Sequence, residues 1–219
     1  MHRKEWDYSL FGKFLGDGYV DKTRRNQMTL KHCKEQAEYV WSIYHAAVES
    51  HLKLSEPIQL QNEQVFIRVP ITARHYNFNR AWKSTGIKYP SKYMLDRLTP
   101  LGLLWLWLDD GSFRINSSSG GRQGRLSTCA FTVKEVDKMI EILGKRFNLT
   151  GIHQIQQNNY PMIYFNATGM QQLVDAVRPV IDYCPPCMRY KLDLQYTERF
   201  ENNPTIYNQS AFPPYRYGG

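Results

Sequence analysis

LFGKFLGDG occupies residues 10–18 and LLWLWLDDG residues 103–111. Each is an apolar run closed by an acidic residue and a glycine, and the two final aspartates, Asp17 and Asp110, stand 93 positions apart. The signals that follow each run repeat in kind, which marks a rough internal duplication. Behind the first run comes a polar, strand-like stretch from Tyr19 to Lys31, with Arg24, Arg25 and Asn26 at a turn. A helix is expected over 34–49, with Tyr39, Ile43, Ala46 and Ala47 on one face. A hairpin follows, 57–61 and 64–71 around Asn62-Glu63, and then a short helix over 74–83.

Behind the second run come the stretch 112–116, a Ser/Gly loop over 117–124 and a strand-like stretch over 125–131. Thr132 with Glu135 three residues on has the form of a capping box, opening a helix that runs to Phe147. A second hairpin covers 152–156 and 162–166, with Asn158, Asn159 and Pro161 at its turn, and a helix from Thr168 to Val177 closes the unit. Each half therefore reads helix, strand, strand, helix, strand, strand, helix. That order predicts two α+β units, each with a four-stranded antiparallel sheet. The expected division is 1–90 for the first half, 91–202 for the second, joined near Pro90 and Pro100, and an irregular tail over 203–219 rich in proline.

A hydrophobic content of 42% supports a proper core. The excess of 28 basic over 20 acidic side chains, net +8, favours a polyanionic partner, because neutralising phosphates releases counterions. Met1–Trp6 has no export signal and no apolar run is long enough to cross a bilayer, so an intracellular, non-secreted protein without a membrane partner is expected. Cys33, Cys129, Cys184 and Cys187 do not make a disulfide scaffold for a chain of 219 residues. Cys184-Pro-Pro-Cys187 lacks a second pair to complete a zinc site, and the six histidines form no recognisable ligand pair.

Drawn as helices, the two runs carry specific chemistry. Gly12 and Gly16 lie on one face, and since a mid-helix glycine costs roughly 1 kcal/mol against alanine, they call for a reason such as a close second helix. Trp105 and Asp109 hold the corresponding places in the second run. Asp17 and Asp110 fall at helix C-termini, which already carry partial negative charge, so two such ends side by side would be relieved by a hard divalent cation. Carboxylates sharing metal ions beside a DNA backbone activate water and stabilise the leaving 3′ oxygen. With neither His nor Cys in the runs, Mg2+ is favoured over zinc. One Asp-Gly at a helix end is commonly just a turn; the matched pair is what points to a site.

Both runs resemble the LAGLIDADG signature of homing endonucleases, and LTPLGLLWLWLDDGSF, residues 98–113, is particularly similar to the second motif of the single-chain, two-motif type. CMRYKLD, residues 187–193, resembles their C-terminal basic motif, and the likeness spans about residues 8–195. The resemblance implies two pseudo-symmetric αββαββα halves, with the motif helices packed at the centre and two sheets forming a saddle over the DNA major groove. It implies that Asp17 and Asp110 hold the catalytic metals. Gly16 and Asp109, one residue earlier, are counted with the metal site, Asp109 as a packing position rather than a ligand of the same kind. It also implies a basic residue near each scissile phosphate. Lys191 matches one by its Tyr-Lys-Leu context. Lys88 is its looser first-half counterpart, against an alternative register that pairs Lys191 with Met94.

A long target needs polar side chains on extended strands. The available pool is Lys22, Arg24, Gln27, Thr29, Lys31, Gln59, Gln61, Gln64 and Arg68 in the first half. In the second it is Arg114, Asn116, Arg125, Ser127, Gln154, Gln156 and Asn158. A one-residue error in strand face would exchange contact for core. The expected protein is thus a monomeric, Mg2+-dependent endonuclease acting on a long, asymmetric double-stranded DNA site. The rival readings on the same scaffold are an intron-RNA splicing cofactor and a DNA-binding regulator that does not cut.

Overall fold

The motif runs form the two helices at the centre of the molecule. In the computed structural model, which describes residues 1–20, 27–60, 62–71, 88–115 and 121–192, the first is α1 (Arg3–Leu15) and the second is the helix Pro100–Asp110. Every residue from Leu101 to Leu108 is buried, and so is nearly the whole last half of α1. A helix apolar all round belongs in a core. Their closest approach is glycine on glycine: a Cβ on Gly12 would lie 1.8 Å from the Gly102 carbonyl oxygen, and one on Gly102 would lie 2.9 Å from that of Ser9. Trp6 meets Trp105 edge to face at 5.4 Å beside this crossing, and the hydroxyls of Ser9 and Thr99 share a buried hydrogen bond of 2.5 Å.

In the first half, α1 leads to β1 (Tyr19–Val20), β2 (Gln27–Cys33), α2 (Ala37–Glu49, entered through a 3-10 turn), β3 (Ile58–Gln59) and β4 (Gln64–Pro70). After the join come α3 (Lys92–Arg97) and α4, the motif helix Pro100–Asp110. The second half continues with β5 (Gly111–Ile115), β6 (Arg122–Ser127), α5 (Val133–Phe147), β7 (Ile152–Gln157), β8 (Tyr160–Phe165) and α6 (Ala167–Val177). Two 3-10 segments, Arg178–Tyr183 and Pro186–Lys191, end the described chain.

The two sheets are antiparallel, with orders β1-β2-β4-β3 and β5-β6-β8-β7, the α+β arrangement expected from the duplicated pattern. The register pairs Tyr19 with Thr29 in one and Ser112 with Arg125 in the other, so the two halves superpose by element. Local signals account for most boundaries. Thr99 accepts from the Gly102 amide with Pro100 at the first helical position. The Thr132–Glu135 capping box is present. Asn158 and Asn159, with φ of 52° and 67°, make the tight turn of the second hairpin. Pro161, expected at that turn, sits inside β8. Helix α3 was not expected: Ser91 caps it through the Met94 amide, and it covers the core with Met94 and Leu95. The expected short helix over 74–83, residues 117–120 of the expected Ser/Gly loop and the tail lie outside the described residues, while Arg122–Gly124, expected in that loop, open β6.

One face of each sheet is closed by helices, α2 on β2 and β4 in the first half and α5 and α6 on β8 in the second. Among the described residues, no helix is long and apolar enough to cross a membrane.

Candidate active site and nucleic-acid face

The C-terminal ends of α1 and α4 meet. α1 closes on Gly16, whose amide still reaches the Gly12 carbonyl at 2.9 Å, and Asp17 follows as an exposed turn residue. α4 ends two residues later in equivalent terms, with Asp110 as its last helical position. A Cβ on Gly16 would lie 2.4 Å from Asp109 Oδ2. The glycine is therefore required by the neighbouring carboxylate, not by backbone conformation.

Asp109 ties the two motifs together. Its Oδ2 accepts from the Asp17 amide at 2.9 Å, and its Oδ1 accepts from Lys13 Nζ at 2.5 Å and from the Tyr39 hydroxyl at 2.8 Å. Lys13 also donates to the Tyr39 oxygen at 3.2 Å, and the side chains of Lys13 and Asp109 are both fully shielded from solvent. Burial pushes the Asp109 carboxyl up, but the ammonium of Lys13 and its hydrogen bonds outweigh this, and the group is held below the usual carboxylate range. Burial beside that carboxylate also holds the Tyr39 phenol well above its ordinary value.

Asp110 has the opposite balance. Burial first, then the charges of Asp109 and Asp17, push its carboxyl up to about 7, against the partial relief of Lys88 and Lys13. A carboxyl that cannot ionise comfortably beside two others is what an added cation relieves.

Lys88 and Lys191 occupy equivalent positions in the two halves. Lys88 Nζ donates to the Gly16 carbonyl. Lys191 Nζ donates to the Asp109 carbonyl at 3.0 Å and to that of Leu108 at 2.6 Å. Gly16 and Asp109 are themselves equivalent, so each ammonium caps the last carbonyls of one motif helix, as cations at helix C-termini do. This geometry selects the register that pairs Lys191 with Lys88. Met94, its rival, is buried in α3. The Lys191 carbonyl in turn accepts from Trp107 Nε1 at 2.7 Å, which fixes the C-terminal segment to α4. Burial lowers both ammonium pKa values, with the aspartates pulling the other way.

Ligand atoms of Asp17, Asp109 and His32 all lie within 4.8 Å of one another, and Asp110 stands outside that group. His32 and Lys13 were not singled out from sequence. Lys13 is a charge inside an apolar run whose second copy has Leu106, and His32 is a polar residue at a core-facing strand position in line with Met28 and Leu30. Both anomalies are visible in the sequence once the strand face is known. The Gly16 carbonyl, counted with the metal site, is occupied by Lys88, and Asp109 is committed to Lys13, Tyr39 and the Asp17 amide.

The outward faces of the sheets follow from register. On the first sheet Gln27, Thr29 and Lys31 of β2 lie beside Gln64 and Arg68 of β4, with the Arg68 guanidinium 4.9 Å over the Phe66 ring. Tyr19 and Ile58 extend this face. Gln59 pairs with Val65 and so lies on the helix-covered side. On the second sheet Ser112, Arg114, Gln123, Arg125 and Ser127 share the outward face. Gln154 and Gln156 do not: they pair with Ile163 and Pro161, whose side chains are buried. The Gln154 amide nitrogen turns toward α5, 3.1 Å from both Asp137 Oδ1 and the Val133 carbonyl. The outward residues of β7 are instead His153, Ile155 and Gln157, and Gln157 accepts from Arg125 at 2.8 Å. Gln154 and Gln156 fall on the helix side because β7 is polar on both sides and carries no alternation to read, and Gln59 does so because β3 inverts its apparent pattern, with the apolar Ile58 facing out. Asn158 is at the exposed hairpin turn. Lys22, Arg24, Gln61 and Asn116 lie outside the described residues.

Comparison with known proteins agrees with this geometry. Residues 8–173 match the model of the LAGLIDADG DNA endonuclease family. A probable intron-encoded endonuclease of Wickerhamomyces canadensis is 26% identical over 211 residues, 87% of this chain and 88% of that protein. The RecA protein of Mycolicibacterium chitae is 26% identical over 221 residues, 94% of this chain but 50% of its own length. Among solved structures, the homing endonuclease I-WcaI bound to its DNA recognition sequence shares the fold with a TM-score of 0.63 at 22% identity, covering 87% of this chain and 86% of that one. The N-terminal LAGLIDADG domain of DUF199/WhiA shares it at 0.51 and 14% identity, covering 81% of this chain and 84% of that one.

Proposed function

The chain belongs to the LAGLIDADG DNA endonuclease family, and we propose that it is a site-specific enzyme that hydrolyses both strands of a long, asymmetric double-stranded DNA target, as a monomer, with Mg2+ held by Asp17 and Asp110. The observation that carries this reading is the meeting of the two motif-helix ends, where Asp109 holds the Asp17 amide and Lys88 and Lys191 each cap the last carbonyls of one helix; at that junction burial and the charges of Asp109 and Asp17 push the Asp110 carboxyl up to about 7. Such a group fits a divalent cation, and oxygen donors of this kind suit magnesium. A bound cation would polarise the scissile phosphate and lower the pKa of an attacking water.

The chain's own residues do the rest. Asp109 holds the Asp17 backbone in place through the amide contact, so the first carboxylate is positioned before DNA arrives. Lys88 and Lys191, one per half, each keep an ammonium at a helix end, where charge develops on the phosphate and the leaving oxygen. The outward faces of the two sheets supply Gln27, Thr29, Lys31, Gln64 and Arg68, then Arg114, Gln123, Arg125 and Gln157, as base- and phosphate-reading groups. The halves differ at nearly every one of these positions, which supports an asymmetric target. A division near residue 90 gives each half one carboxylate, one lysine and one sheet.

The test is selection from a randomised duplex library in Mg2+. Double-strand breaks at one enriched sequence are expected, and Asp110→Asn is expected to bind that sequence in Ca2+ without breaking it. Enrichment of a sequence that the native chain never breaks would overturn the reading in favour of a binding protein.

A further inference from the structure

His32 is 7% exposed on the core-facing side of β2, and its Nε2 has no hydrogen-bond partner among the described residues. A buried polar nitrogen without a partner costs about 1–3 kcal/mol, so its persistence asks for an occupant. Its other nitrogen, Nδ1, is 3.2 Å from Gln36 Oε1. A Gln oxygen accepts, so Nδ1 carries the proton and Nε2 keeps its lone pair. Metal-bound histidines are characteristically oriented in this way. An imidazole nitrogen of His32 also falls within 4.8 Å of oxygens of Asp17 and Asp109. Neighbouring ligands of one ion at about 2.1 Å stand about 3.0–3.4 Å apart, so binding an ion would draw these three atoms together by up to about 1–2 Å.

We propose that Asp17, His32 and Asp109 form a divalent transition-metal site in the first half, with the imidazole as its nitrogen ligand. The second half has no equivalent. Register sets Thr29 against Tyr19 and Arg125 against Ser112, so three residues on, the counterpart of His32 is Thr128. Thr128 is buried and its hydroxyl is spent on the Pro161 carbonyl at 2.8 Å. Lys13 balances much of the Asp109 charge, which leaves Asp17 and His32 as the principal ligands and Asp109 Oδ2 as a shared one. The first half therefore prefers Mn2+ or Co2+ over Mg2+, and the second, all oxygen, does not. Two unlike metal sites predict that the strands are cut in a fixed order.

This rests on reading Asp17 as a metal ligand but not on cleavage, and the test needs no DNA. The full chain is loaded with one equivalent of Mn2+ and examined by pulsed EPR. Nitrogen-14 coupling is expected in the native chain and in Asp110→Asn, and nitrogen-15 coupling in native protein carrying 15N-histidine, a change that leaves the fold untouched. His32→Asn is expected to lose the coupling and to weaken Co2+ at least about tenfold, with Mg2+ far less affected. Absence of nitrogen coupling in the native chain, or its survival in His32→Asn, would overturn the proposal. Absent coupling in a chain that still cuts DNA would sink this inference alone, whereas coupling in a chain that leaves DNA whole would sink the nuclease reading alone.

Discussion

The residue that governs the site electrically is Asp110. Its carboxyl pKa rises from 3.8 in the unfolded chain to about 7 in the folded one. A raised pKa means that its protonated form is favoured on folding. The stability it lends is complete below pH 4 and is lost as pH climbs through 7. Metal-free native protein should therefore become less stable than Asp110→Asn between pH 4 and pH 8, by about 2–4 kcal/mol, as read from urea unfolding of both at each pH. An unchanging difference would mean that Asp110 ionises freely. The same sign makes Mg2+ binding tighten up to about pH 7 and release a proton below it. Lys13 and Asp109 test the other buried charge. Lys13→Met should cost about 3–5 kcal/mol by stranding a carboxylate, and adding Asp109→Asn should recover much of it. Asp17 and Asp110 were legible as residues because both sit at the same place in a repeated string. Lys13 and His32 were not, since each is a single departure whose partners come from 26 to 96 positions away in sequence or from an unassigned strand face.

At the scale of elements, two glycines let the central helices approach. Gly12→Ala would drive a methyl carbon to 1.8 Å from the Gly102 carbonyl. Backbone cannot yield as a side-chain tip can, so the helices must separate. A loss of at least about 3 kcal/mol in thermal or urea unfolding is expected, with cleavage lost at temperatures where the variant still folds. The glycine spacing was readable from sequence as a demand for close packing, but its partner was not: Gly102 lies one turn before the position aligned with Gly12. Strand faces divide the same way. β2 alternates, and β4 does so except at the buried Phe66, so Gln27, Thr29, Lys31, Gln64 and Arg68 share the outward face. β7 reads Ile-His-Gln-Ile-Gln-Gln, and only its pairing with β8 shows that Gln157 faces out and Gln156 toward the helices. Arg125→Ala should cost about 1–3 kcal/mol in binding the selected DNA, while Gln156→Ala should stay within about 0.5 kcal/mol. Equal losses in a fluorescence titration would contradict the register.

For the whole molecule, the duplication made the architecture legible in outline. Length, repeated motif and element order together required two similar sheets around a helix pair. Helix α3 escaped because six residues between prolines carry too little periodicity to register. The net charge of +8 belongs at this scale too. Affinity for duplex DNA should fall steeply between 50 and 200 mM salt, about tenfold or more for each few phosphates neutralised. A flat response would exclude the sheet faces as the contact surface.

Everything rests on Asp17 and Asp110 each holding metal beside the scissile phosphates of the two strands. The most direct measurement is anomalous scattering from Mn2+ in crystals of this chain with its selected DNA. The account predicts metal density within about 2.0–2.3 Å of carboxylate oxygens of both Asp17 and Asp110, bridged to the scissile phosphates. Density that leaves either aspartate without an ion, or carboxylates too far apart to face the same phosphate pair, would contradict it.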